Sequence, residues 1–510
     1  MSTDIPVDLV VIGLGPGGEH LATEAAKAGL NVIGIDERLV GGECPYYGCI
    51  PSKMAIRAAN LLADARRVGT LAGAAEVTPD WGVVHARIRD EATDDWDDKV
   101  AVERLEQAGV RFVRGHARLA GTVDVRPDWT PVHERIRDEA TDDWDDTVAV
   151  QRLEDAGVTF VRGHGRLTGP RTVEVNGARY TTARGVVLNT GTSPAAPPVD
   201  GLADTPFWTN RDVLATPDLP ASMVVIGGGA IGAELAQAFA RFGTKISLVE
   251  AAPRILALEE PESSEVVARA MAADGIQVLA GASIGSVRHA DGRFTVALTD
   301  AAGTALELGS DRLLVAAGRR PNLSDLGLEA VGLDPRARSV DTDARMRAGD
   351  KLWAIGDITG KGAFTHMSMY QAAVALADVT GRTGDDAREA EYHAVPRVTF
   401  TDPEVGSVGL SEQQARDAGL DVAIGLAPLA GSTRGWISGP GGEGLIKLVE
   451  DREAGHLVGA TSVGPMGGEV LSMLATAVHA RIPTATLARM PFAYPTFHRA
   501  VETALADLRG

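Results

Sequence analysis

Apolar residues gather along this chain in short β-branched runs that read as buried strands, separated by alanine-rich runs that read as helices. Val7 to Ile12 is the first strand-like run, and it leads into Gly13-Leu14-Gly15-Pro16-Gly17-Gly18. An alanine-rich helix follows to about Ala28, with Gly29 as its C-cap, and then a strand from Asn31 to Ile35 that ends in Asp36. The same order returns from Met223: strand Val224–Ile226, turn Gly227-Gly228-Gly229-Ala230-Ile231-Gly232, helix Ala233–Phe242, and strand Lys245–Val249 ending in Glu250. A further helix is predicted from Ser52 to about Val68, and further strands at Val186–Leu188 and Leu313–Ala317. From about Glu391 the pattern changes to strand-like runs and glycine turns (Val395–Phe400, Leu445–Val449, Leu457–Ser462), with helices from Gly468. This ordering predicts an α/β protein with two Rossmann-like units followed by an α+β unit.

One stretch interrupts the pattern. PDWGVVHARIRDEATDDWDDKVAVERLEQAGVRFVRGHARLAG, from Pro79, recurs from Pro127 as PDWTPVHERIRDEATDDWDDTVAVQRLEDAGVTFVRGHGRLTG. Each copy predicts an amphipathic helix and then a strand, Val110–Val113 or Val158–Val161. Two copies are too few for a solenoid, so the repeat is a local tandem duplication, 79–126 and 127–174, inside one domain. One copy is expected to fill a single helix-and-strand slot, with the other packed outside it or displacing its twin. The DDWDD blocks are expected to be solvated helix ends rather than metal sites.

Both glycine turns have the form G-x-G-x-x-G, carried by Gly13, Gly15 and Gly18 and by Gly227, Gly229 and Gly232. In each, strand, turn, helix, second strand and terminal acid are all present. That combination binds a dinucleotide: backbone N–H groups at the helix start receive the pyrophosphate, and the acid roughly 20 residues on receives a ribose hydroxyl. Asp36 and Glu250 hold the acid positions. A carboxylate at Glu250 favours a free 2′-hydroxyl, hence NADH over NADPH, although Arg254 stands nearby in sequence.

The chain has 510 residues, enough for several domains, and a formal net charge of −20, which argues against nucleic acid as its main partner. A dinucleotide stays compatible with that charge because its pyrophosphate is bound locally. MSTDIPVDLVVIG lacks the basic and long apolar regions of a signal peptide, and no run of about 18 apolar residues predicts a membrane span. The expectation is a cytoplasmic protein with no membrane partner.

Its only cysteines, Cys44 and Cys49, lie in Gly41–Lys53, GGECPYYGCIPSK. Gly41 and Gly42 let the backbone approach a flat or charged group, and Pro51 suits the first turn of a helix. Cys49 is therefore predicted near a helix N-terminus, where the dipole favours a thiolate, with Lys53 one turn on. A dithiol/disulfide couple is physically reasonable. A structural disulfide would close a trivial loop, and a zinc site lacks its further ligands; two unrelated buried cysteines are the remaining alternative.

The GG-x-C-x4-C-I-P-S-K motif resembles the redox stretch of the FAD-dependent pyridine nucleotide–disulfide oxidoreductases, the family that includes dihydrolipoyl dehydrogenase and mercuric reductase. The resemblance extends to Thr190-Gly191, Gly318-Arg319-Arg320-Pro321-Asn322 and Gly356-Asp357, so that it covers essentially the whole chain apart from one repeat unit. It implies FAD on the first nucleotide unit, with Asp357 on the ribityl chain, and NAD on the second. It implies Cys49 as the thiol nearer the flavin, Cys44 as the interchange thiol, and Lys53 and Glu234 as an ion pair beside the flavin. It also implies a homodimer formed through the C-terminal unit. The domains expected are 1–198 and 321–390 for FAD, 199–320 for NAD(P) and 391–510 for the interface.

The resemblance fails at one place. Where the disulfide reductases carry His-Pro and then a Glu, this chain has Tyr494-Pro495 and Arg499. A phenol with a pKa near 10 is a poor base at neutral pH. His498 lies about one turn beyond Tyr494 and is expected to point elsewhere. Mercuric reductase shares the tyrosine but needs a C-terminal cysteine pair, which is absent here. The expected function is hydride transfer from nicotinamide to flavin to Cys44–Cys49, and on to a small disulfide or a quinone-type acceptor. The alternatives are a dihydrolipoyl dehydrogenase and a redox-inert nucleotide-binding protein.

Overall fold

The computed structural model describes residues 4–71, 129–137, 141, 144–384 and 387–509. The first repeat copy, and the strand expected at Val110–Val113, lie outside the described residues.

Strand β1 (Asp4–Ile12) is buried on both faces, with Leu9, Val10 and Val11 fully inaccessible, as a central parallel strand must be. It pairs in parallel with β2 (Val32–Asp36) on one side and with Ala178–Leu188 on the other. Helix α1 (Pro16–Lys27) packs between, and begins with Pro16 in its first turn. Gly13 has φ +91°, and a Cβ on Gly18 would stand 2.0 Å from the Gly13 carbonyl oxygen. Only glycine at both positions lets the helix start this close to the strand it follows.

The second repeat copy fills the slot beside β2. Its strand β3 (Thr159–Arg162) runs parallel to β2, Ile33 opposite Thr159 and Asp36 opposite Arg162. Trp129, from the start of this copy, sits against Phe239 and Phe242 at 4.9 and 5.3 Å between ring centroids, and its Nε1 donates to the Thr216 carbonyl. Asp146 departs from the solvated helix end expected of its acidic block. It is buried, accepts the Val40 N–H at 2.6 Å, and pairs with Arg162 at 2.8 Å. Asp145, next to it and exposed, accepts the Thr147 N–H.

The second nucleotide unit is a four-stranded parallel sheet in the order Gln277–Ala280, Lys245–Glu250, Ser222–Ile226, Arg312–Val315. An antiparallel three-stranded sheet, Ser283–Ala290, Arg293–Thr299 and Ala305–Ser310, covers one face. Thr192–Pro194 and Arg319–Pro321, the outgoing and returning segments, pair antiparallel. The chain then rejoins the first sheet through Leu352–Ala354, parallel to Ala178–Leu188. The C-terminal unit is a five-stranded antiparallel sheet packed against helices Gly467–His479 and Ala500–Asp507. The fold is α/β, with two dinucleotide-binding folds and a C-terminal α+β unit.

Buried charges join the second nucleotide unit to the C-terminal one. Arg241, 2% exposed, donates to Asp402 at 2.9 Å and to Asp274 at 3.0 Å. Lys447 is surrounded by Glu260, Glu262 and Glu412 at 2.8–3.0 Å. Burial disfavours its ammonium, and these three carboxylates outweigh that and raise its pKa. Removing one partner of such a cluster leaves an uncompensated buried charge.

Candidate active site

Gly41 and Gly42, with φ +98° and +69°, turn the chain into the short helix α2 (Glu43–Tyr47), and α3 (Cys49–Leu71) begins at the second cysteine. Cys49 therefore stands at a helix N-terminus, as its spacing from Pro51 predicts. Both cysteines are free thiols, Cys44 half-buried and Cys49 exposed. They share a hydrogen bond that divides their acidities. It raises Cys44, with burial adding to the shift. It lowers Cys49 to about 6, against the opposing effect of burial and with help from Thr365 and Lys53. The Thr365 hydroxyl lies 3.2 Å from the Cys49 sulfur. One thiol is thus held protonated while the other is a thiolate at neutral pH.

Lys53 follows on α3. Its Nζ donates to Glu234 Oε2 at 2.8 Å and lies 4.7 Å from the centre of the Phe400 ring. Glu234 is buried on helix Ala230–Phe242, and its other oxygen accepts the Phe400 N–H at 2.8 Å. Residues 181 positions apart are thereby joined beside the thiols.

These groups open into one continuous cavity of about 1780 Å³. Its lining includes Gly13, Gly15 and Asp36 from the first nucleotide unit, Gly42, Cys44, Cys49 and Lys53 from the redox stretch, Thr190, Gly191 and Asp357, and Gly229 and Glu234 from the second nucleotide unit. Asp36 accepts the N–H groups of Leu14 at 2.7 Å and Arg38 at 2.8 Å, and burial raises its pKa despite them. Glu250 lies outside the lining, where it accepts the N–H groups of Gly228 at 2.5 Å and Ala252 at 2.6 Å. Asp357 accepts the Thr192 hydroxyl at 2.6 Å.

Gly18, Gly41, Gly227, Gly232, Gly318 and Gly356 also lie outside the lining and act on the backbone. Gly18 and Gly232 allow the close starts of their helices, and Gly227 has φ +106°. Gly41 donates to the Leu14 carbonyl, Gly318 accepts from Ala195, and Gly356 donates to Gln371.

Tyr494 is not brought to this cavity. It is 66% exposed on the C-terminal unit, its hydroxyl 3.2 Å from that of Thr433 and its ring beneath Arg499. His498 stands beside Phe492 rather than Tyr494. Among the described residues no cluster could hold a metal ion.

The space fits two dinucleotides. Helices starting at Pro16 and Ala230 aim their free N–H groups at it, each beside a fixed carboxylate, and a Cβ on Gly229 would meet no atom within 4 Å. A family model described as pyridine nucleotide-disulphide oxidoreductase matches residues 7–377, and a second, its dimerisation domain, matches residues 395–505. The chain belongs to the pyridine nucleotide-disulphide oxidoreductases. Members of this family are enzymes dependent on FAD and NAD(P). Among its relatives are a dihydrolipoyl dehydrogenase of Chlorobaculum tepidum, 30% identical with 98% of this chain and 96% of the relative covered, and a mercuric reductase of Acidithiobacillus ferrooxidans, 30% identical with 96% and 80% covered. The Escherichia coli HOCl-induced flavoprotein disulfide reductase RclA, in its Cu(II) complex, shares the fold at a TM-score of 0.76 and 22% identity, with 98% of this chain and 99% of that one covered.

Sequence reading missed several members of the site. Thr365 is far from the cysteines in the chain and belongs to no motif, and Phe400 is an ordinary strand-end aromatic. Glu43 is inside the motif but at one of its variable positions.

Proposed function

We propose that this oxidoreductase relays electrons from NADH through FAD to the Cys44–Cys49 pair and on to a small disulfide, with a quinone-type acceptor drawing on the flavin directly. The observation that carries the reading is the single cavity that contains both thiols and receives the ends of both nucleotide units. Gly13, Gly15, Asp36 and Asp357 hold FAD, which when bound accepts the nicotinamide hydride and passes two electrons to the disulfide. Reduction of that disulfide takes two electrons and two protons and yields the two thiols seen here. Lys53, held by Glu234, places a positive charge beside the thiolate of Cys49. In exchange with a small disulfide, the Cys44 sulfur attacks one sulfur and expels the other as a thiol. Cys49 then attacks Cys44, which re-forms the intramolecular disulfide and releases the second thiol.

Glu250 supports NADH over NADPH. Its carboxylate is fixed at the glycine turn, and the nearby Arg254 is tied to the Leu256 carbonyl at 3.0 Å and to the Ser264 hydroxyl at 2.7 Å. No guanidinium is thereby directed to a 2′-phosphate by that arginine. Tyr494 faces outward on the dimerisation unit, a position suited to completing the cavity of a second copy in a homodimer. Several relatives are named dihydrolipoyl dehydrogenase, which favours that activity as the second reading; the phenol at Tyr494 in place of an imidazole base stands against it.

The test compares acceptors. Cys44→Ser is expected to abolish NADH-dependent disulfide reduction while quinone reduction stays within about threefold of the parent, a change below 1 kcal/mol in barrier. Equal loss toward both acceptors would contradict the division of roles between flavin and dithiol.

A further inference from the structure

We infer that Glu43 is a positioning residue: its carboxylate ties the turn that carries Cys44 to the second nucleotide unit, and so sets where the Cys44 sulfur stands. This rests on the proposed dithiol relay. Glu43 Oε1 accepts Arg211 Nε at 2.5 Å, and Oε2 accepts Arg319 Nη2 at 3.1 Å and Asn210 Nδ2 at 3.3 Å. Asn210 also donates to the Tyr47 carbonyl at 2.7 Å, at the opposite end of the same turn. Arg319 continues the connection, donating to the Thr192 hydroxyl at 2.6 Å, which in turn donates to Asp357.

The turn needs such an anchor. Helix α2 has five residues, follows two glycines at positive φ, and has no side-chain cap. Helices this short are not stable on local hydrogen bonds. Glu43 and its two arginines are each only about a quarter exposed, so the pairing is charge-assisted and less screened than a surface pair. Arg211 and Asn210 belong to the second nucleotide unit, while Cys44 belongs to the first. The clamp therefore fixes the interchange thiol across the junction between them.

Positioning and simple electrostatics make opposite predictions. Glu43→Gln removes a negative charge near Cys44, and Arg211→Gln removes a positive one. If the field mattered, the two variants would shift Cys44 reactivity in opposite directions. If the clamp matters, both free the turn and act alike. The readout is the iodoacetamide alkylation rate of Cys44 relative to Cys49 in the fully reduced holoenzyme, measured by peptide mass spectrometry. FAD content and melting temperature identify any variant that fails to fold, and Glu43→Asp serves as the conservative control. Both Gln variants are expected to raise the Cys44:Cys49 ratio by about threefold or more and to lower NADH-dependent disulfide turnover by about tenfold. Glu43→Asp is expected to fall between. Opposite shifts in the two variants, or an unchanged ratio in both, would overturn the inference. Absence of disulfide turnover in the parent enzyme, with the ratio still responding, would instead count against the dithiol relay and leave the clamp standing.

Discussion

Cys49 and Cys44 have the same side chain and opposite acidities, because the hydrogen bond between them raises one and lowers the other, burial adds to the rise of Cys44, and Cys49 alone has the helix N-terminus and Lys53 beside it. A thiol lowered to about 6 is ionised at pH 7 and is protonated as the pH falls below that value. The long-wavelength absorbance of NADH-reduced enzyme, which requires the thiolate, is therefore expected to persist from pH 8 to 7 and to fade below about pH 6. Spectra across pH 5–8 check this, and a band that survives unchanged at pH 5 would contradict it. Thr365→Val, which removes only a hydroxyl hydrogen bond, is expected to move that midpoint upward by about one unit. At this scale the cysteines, Lys53 and the glycines were legible because each belongs to a short contiguous motif. Thr365 and Phe400 were not, because they reach the thiols only through folding of distant segments. The Lys53–Glu234 pair came from the family resemblance, and its 2.8 Å contact is present in the fold.

Among elements, the strands and helices around both glycine turns were legible from apolar runs and punctuation. Observed ends differ from those expected by a few residues, as with β1, which starts at Asp4 rather than Val7. The repeat was legible as a duplication, but which copy occupies the sheet was not, since both carry the same apolar pattern. Pairing of β3 with β2 assigns the slot to the second copy. Deleting residues 79–126 is accordingly expected to leave FAD content and turnover within about twofold, because the described strand, Trp129 and Asp146 all come from the other copy. Loss of FAD from the deletion protein would show that the second copy alone does not suffice. Asp146 escaped the sequence reading because an acid in a DDWDD block looks solvated until its partner, the Val40 N–H, is placed over it. Asp146→Ala leaves that N–H without its acceptor and Arg162 without its carboxylate partner, and is expected to cost about 1–3 kcal/mol, measurable by chemical denaturation.

In the whole molecule, the second nucleotide unit is held to the C-terminal unit through Arg241 and Lys447, and to the redox turn through Glu43. The cavity is formed where these units meet. Tyr494 and Trp436 remain exposed on the C-terminal unit, Trp436 by 77%, with Tyr494 hydrogen-bonded to Thr433 of the helix that carries Trp436, and a second copy is the partner we propose for that surface. Trp436→Glu is expected to shift the protein from dimer toward monomer in size-exclusion chromatography with light scattering; a monomeric parent would contradict the homodimer. The most direct test of the electron relay is an anaerobic titration of the purified yellow enzyme with NADH, followed from the visible into the near infrared. A long-wavelength band that develops at two electrons per subunit, and is lost in Cys49→Ser, is the predicted result. Bleaching of the flavin with no such band would contradict transfer to Cys44 and Cys49.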